Sequence, residues 1–197
     1  MRVAWLPMGA LVVLALAELC RLAVRCGLLG ELLVAEQAWL AQPSTELMVA
    51  EMVLSLVVSL LFSVAVCSWL LWEALAYRRI TQLPGASWSS SPWGVIGWWF
   101  VPMAHLVRPR RLVEELYRNA LPELERPSDE RARVVQIWWA LWLLSQALWL
   151  VALVLTEQPH TMEWNALADV LVSLSFTGAA IAAVLVVYSV DRRIARL

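Results

Sequence analysis

Four long apolar runs are separated by connectors in which charged and turn-forming residues gather. They cover about 3–24, 48–77, 134–155 and 166–190, and the second has its most apolar part from Met52 to Leu71. Roughly 20 apolar residues, at about 1.5 Å of rise each, span a hydrocarbon core of about 30 Å. Each run therefore predicts an α-helix that crosses a bilayer.

Between the second and third runs lies a stretch of another kind, Trp88 to Arg118, reading WSSSPWGVIGWWFVPMAHLVRPRRLVEELYR. Ser91 can cap a helix that opens with Pro92 and runs through Trp99 to Val101, where Pro102 breaks it. From Trp93 to Val107 is 15 residues, about 22 Å as helix and short of a crossing. Both flanks are basic, with Arg78 and Arg79 before it and Arg108, Arg110 and Arg111 after it. A crossing would put these clusters on opposite faces, so 92–107 is expected to dip in or lie flat and return to the same side. The following 109–121 is amphipathic: Leu112, Val113, Leu116 and Tyr117 share a face, and Glu114 and Arg118 form an i,i+4 pair.

The expected fold class is an all-α membrane protein. It has four transmembrane helices, a re-entrant or interfacial helix, and a cytoplasmic amphipathic helix between spans two and three. Residues 1–197 would form a single four-span membrane domain.

The other connectors refine this layout. Gly27 to Gln42 interleaves Leu32, Leu33, Ala35, Trp39 and Leu40 with Glu31 and Glu36, which predicts a short amphipathic helix on the membrane surface. Pro43 to Glu46 supplies a turn, a cap and an acid for the next helix. Residues 122–133 are charged and expected to be solvated, and TEQPHTMEWN is a short acidic connector. The amino-terminal run is expected to be a retained anchor. It continues past the length of a signal-peptide core, and Ala17-Glu18-Leu19-Cys20 is a poor cleavage site.

Composition agrees with this pattern, at 61% hydrophobic residues and a mean hydropathy of +0.69. The net charge of −1 says little, but its distribution says more. Arg21 and Arg25 fall on one side of the layout. Arg2, the nine arginines from Arg78 to Arg133, and Arg192, Arg193 and Arg196 fall on the other. The positive-inside rule then places both termini and the long middle loop of a multi-pass protein in the cytoplasm, with the two acidic connectors outside. No lysine occurs in the chain, which excludes a lysine nucleophile, a Schiff base and a phosphate-loop lysine.

The section from the second run through the third resembles a bacterial membrane-protein family labelled domain of unknown function 4328. The residues that carry the likeness are Trp72 with Ala76; Trp93, Trp98, Trp99, Phe100 and Pro102; Leu106, Pro109, Glu115 and Leu116; and Trp138 with Trp139. Two positions depart from its pattern, His105 and Arg79, where relatives commonly have asparagine. The resemblance implies a four-helix inner-membrane protein without an established activity.

Candidate chemistry is sparse. His105, Arg108, Arg110 and Arg111 could hold a phosphate, because guanidinium groups bind it bidentately and a histidine can transfer a proton. The competing reading makes them positive-inside anchors among anionic head groups. Glu18, Arg21, Glu51, Glu73 and Asp169 are ionisable groups in or near spans, where charge is costly. Glu18 and Arg21, three apart, are expected to form an intramembrane ion pair, while Arg25 snorkels outward and Asp169 serves as a first-turn acid. Cys20, Cys26 and Cys67 show no Cys-x-x-Cys spacing, and His105 and His160 fall on opposite sides of the layout. No metal, cofactor or catalytic residue is expected, and the 13 tryptophans read as interfacial anchors and packing bulk.

The leading function is a non-enzymatic membrane subunit or scaffold that engages membrane lipids, through anionic head groups on the cytoplasmic side, or a protein partner or homo-oligomer. Nucleic acid is not among the expected partners. The alternatives are an enzyme or carrier acting on a phosphorylated lipid, and a small oligomeric transporter or pore.

Overall fold

The computed structural model describes residues 4–34, 44–82, 89–120, 133–156 and 162–195. Four long helices dominate: α1 (Trp5–Val34), α2 (Thr45–Ile80), α5 (Arg133–Leu155) and α6 (Met162–Ile194). Between α2 and α5 come α3 (Pro92–Gly97), a single 3₁₀ turn at Ala104–Leu106, and α4 (Arg108–Asn119). All four long helices are apolar and long enough to cross a membrane. Glu46 sits in the first turn of α2, and Arg78 with Arg79 sits in its last. Arg192 and Arg193 occupy the last turn of α6, so several helix ends carry the charge that complements the helix dipole.

The closely packed neighbours are α5 with α6, α6 with α1, and α1 with α2. The long helices thus stand in the order α2–α1–α6–α5. Small side chains on α6, including Ala179, Ala180, Ala182 and Ala183, are buried in this packing and allow close approach. The fourth side, between α2 and α5, is joined by aromatic rings: Trp69 of α2 stacks on Trp138 of α5 with centroids 4.9 Å apart.

One end of the bundle is closed by α4. Leu112, Val113 and Leu116 are at most 1% exposed and join Tyr77 and Ile80 of α2, Val135 of α5, and Val186, Val187 and Val190 of α6 in one core. An amphipathic pattern leaves open whether its apolar face lies against lipid or protein. Here it lies against protein. Arg193 fastens the arrangement, donating from NH1 to the Tyr117 carbonyl at 2.8 Å, with its guanidinium 3.6 Å over the Tyr117 ring.

Two helix boundaries differ from expectation. The separate surface helix expected at Gly27–Gln42 is instead the continuation of α1 to Val34, and residues 35–42 lie outside those described. Gly27 and Gly30 do not break α1, because its far end packs on α2. A Cβ on Gly27 would meet Leu47 at 3.4 Å, and Glu31 Oε2 accepts the Ser44 N–H at 2.8 Å. The helix opened by Pro92 stops at Gly97 rather than Val101. There the bonding tightens to i,i+3, with Trp99 N–H on the Ile96 carbonyl and Phe100 N–H on that of Gly97.

Candidate functional site

Residues 89–120 form a short hairpin that leaves the end of α2 and returns to α4 at the same end of the bundle. Its first helix begins as the sequence suggests, with Ser91 Oγ accepting the Gly94 N–H at 3.0 Å and Pro92 at the first helical position. At six residues, α3 reaches only about 9 Å. The tightened turn after it carries Trp99 against α2, where its indole N–H donates to Glu73 Oε2 at 3.0 Å. Glu73 is 0% exposed, and Oε1 has no hydrogen-bond partner among the described residues. Trp69, one turn earlier, lies close to that carboxylate but outside hydrogen-bond geometry. A second tie closes the base of the hairpin, where Ser89 donates its N–H and hydroxyl to the Glu115 carboxylate.

The rest of the hairpin presents apolar side chains outward. Trp93, Phe100 and Met103 are 70%, 73% and 79% exposed, and Val101, Leu106 and Val107 are also exposed. Met103 has φ 63°, a left-handed conformation that a non-glycine residue adopts at a cost. It marks the point at which the chain reverses toward α4.

The arginines follow at once. Arg108 sits with its guanidinium carbon 4.7 Å over the Trp98 ring, a cation–π contact. Arg110 is half-buried, and its Nε lacks a hydrogen-bond partner among the described residues. Arg111 is exposed and His105 half-buried on the 3₁₀ turn. Because α4 starts at Arg108, the positive end of its dipole adds to these three cations. The structure thus places His105, Arg108, Arg110 and Arg111 within seven consecutive residues, 105–111, beside an exposed apolar rim.

The residues behind the family likeness divide by environment. Trp72, Ala76 and Pro109 are buried; Trp98 and Trp99 are half-buried under Arg108 and against Glu73; Trp93 and Pro102 are exposed; Glu115 holds Ser89. Around Trp99 the rings form a continuous cluster. Its centroid lies 6.1 Å from Trp139 and 6.2 Å from Trp142, both edge-on, and Trp139 stacks on Trp142 at 4.8 Å.

A charge network occupies the opposite half of the bundle. Arg21 NH1 is 3.4 Å from Glu18 Oε1, and Arg21 Nε is 3.0 Å from Glu51 Oε1. Arg25 does not extend outward as a lone snorkelling side chain would. It is buried, with Nε 2.9 Å from Glu51 Oε1 and NH1 bonded to the Asp169 carbonyl and to Ser173 Oγ at 2.8 and 2.9 Å. Asp169 is the eighth residue of α6 rather than a first-turn acid, with Oδ1 3.7 Å from Arg25 NH2. The network therefore bonds α1 to both α2 and α6. Spacing along one helix reveals the Glu18–Arg21 neighbourhood, but carries no signal for partners 26 and 144 residues away.

Among the described residues, no group of three His, Cys, Asp or Glu side chains could hold a metal ion. His160, weighed above with His105, lies outside the described residues.

These observations define an all-helical class built on four helices, each able to cross a membrane, with a short aromatic hairpin packed at one end. The chain belongs to the family described as Domain of unknown function (DUF4328), whose model matches residues 33–195. No curated protein and no solved structure matches it.

Proposed function

We propose that this chain is a non-enzymatic subunit or scaffold of a bacterial inner membrane, and that its arginine-rich face engages anionic lipid head groups. The observation that carries this reading is the meeting of Arg108, Arg110 and Arg111 in the first turn of α4 with the exposed apolar rim of Phe100, Met103, Leu106 and Val107. Apolar side chains flanked by cations suit the boundary between hydrocarbon and phosphate. The hairpin then lies in one leaflet as a re-entrant or interfacial element, with α4 and both chain ends on the cytoplasmic side. Charge supports that orientation. Arg78, Arg79, Arg133, Arg192 and Arg193 lie at the α4 end of their helices, whereas Arg21 and Arg25 in the opposite half are engaged by Glu18, Glu51 and Asp169.

The non-enzymatic form is favoured over catalysis on a phosphorylated lipid because His105 makes no side-chain hydrogen bond or ion pair with a carboxylate among the described residues. The test is to purify the full chain and the Arg110→Gln/Arg111→Gln variant, and to weigh bound phosphatidylglycerol by native mass spectrometry. Retention should fall several-fold in the variant. Equal retention in both would remove the basis of the proposal.

A further inference from the structure

The side of the bundle between α2 and α5 encloses a cavity of about 250 Å³. Phe62, Trp69 and Leu70 of α2, Trp138 of α5, and Ala180 and Ala183 of α6 are among its walls. All its lining residues are aliphatic or aromatic, with no charged or amide side chain among them, so it suits an occupant that is mainly hydrocarbon. Its floor exists because α6 places alanines where larger side chains would fill the space. An apolar cavity of about 150 Å³ already accepts benzene. Phe62 to Leu70 is eight helical steps, about 12 Å, so this one is longer than a single ring needs.

We infer that this cavity is a binding site for one acyl chain of a membrane phospholipid. Three features select that occupant. The cavity is walled by α1, α2, α5 and α6, the helices able to cross a membrane, so the medium at its mouth is hydrocarbon. Phe62 and Phe100 line it and are also exposed, at 38% and 73%, so it opens laterally rather than being sealed. Phe100 also continues into the apolar rim that ends at Arg108, and Arg108 rests on Trp98, the neighbour of the lining residue Trp99. A lipid whose phosphate meets those arginines has its tail beside the opening. The inference deepens the lipid reading above and rests on it for the identity of the head group.

The test uses the full chain in phosphatidylcholine vesicles that contain phosphatidylglycerol with a photoactivatable diazirine midway along one acyl chain. Cross-linked positions are mapped by peptide mass spectrometry. Labelling is expected to concentrate on 62–70 and 176–183, above that on the outward-facing Leu56 and Leu60. Ala180→Phe should lower it by about tenfold, equivalent to about 1.4 kcal/mol of affinity. Ala183→Leu, a milder filler, serves if the first variant does not fold. Labelling of the cavity no stronger than that of Leu56 and Leu60, labelling unchanged in a folded filled variant, or cross-links in the cavity to a second copy of the chain would overturn the acyl-chain site. Cavity labelling that survives in Arg110→Gln/Arg111→Gln, with no preference left for the anionic lipid, upholds the chain site and defeats the head-group reading instead.

Discussion

Trp99 and Glu73 are 26 residues apart in sequence, and the indole N–H of the first donates to the carboxylate of the second at 3.0 Å inside the protein. The bond ties the hairpin to α2 at a point where neither partner meets bulk water on the Glu73 side. Removing one partner strands the other, whereas removing both does not. Trp99→Phe and Glu73→Leu are each expected to destabilise the protein by about 1–3 kcal/mol. In the double variant the loss should be smaller than the sum by about 1 kcal/mol or more. Thermal unfolding in detergent measures this cycle, and strictly additive losses would contradict the bond.

The charge network predicts an order between two arginines. Arg25 has a side chain 8% exposed and bonds to both α2 and α6, whereas that of Arg21 is 18% exposed and reaches α2 and its own helix. Arg25→Gln should cost about 3–5 kcal/mol, the range for breaking a buried pair. Arg21→Gln should cost less. Equal Tm shifts in the two variants would contradict the geometry.

The aromatic contact between α2 and α5 makes a third prediction. Trp138 is 5% exposed and stacked on Trp69, while Trp149 on the same helix is 53% exposed. Trp138→Ala is expected to lose about 3–5 kcal/mol, and Trp149→Ala less than about 1 kcal/mol. Chemical unfolding in mixed micelles separates the two.

A fourth concerns the opening turn of α3. A Cβ on Gly94 would lie 2.7 Å from Ser90 Oγ and 2.9 Å from Ser91 Oγ, displacing the hydroxyl that caps the helix. Gly94→Ala and Ser91→Ala should therefore each cost about 1 kcal/mol. Faster amide exchange confined to the hairpin would report it, and unchanged exchange there would refute it.

Sequence pattern located the four long helices because a run of about twenty apolar residues has few other uses. It also assigned the buried face of α4, since Leu112, Val113, Leu116 and Tyr117 recur at helical spacing against charged neighbours. It did not order the helices. Much of α2, α5 and α6 is apolar all round, because surfaces that meet lipid and surfaces that meet protein use the same residues. Glu51, Glu73 and Asp169 were recognisable as costly ionisable groups, but their partners follow from which helices stand side by side. The end of α3 at Gly97 was equally out of view, because it depends on Trp99 reaching a carboxylate in another element.

Three of the contacts around the ring of long helices depend on close approach of the helices themselves. The contact between α2 and α5 depends on indole rings. Stacked rings can slide or turn without breaking any backbone bond, so this seam is where the structure yields most cheaply to sideways strain. Slow opening of the protein is therefore expected to be lateral, along one flank, and to leave the other three contacts, and with them the row α2–α1–α6–α5, intact.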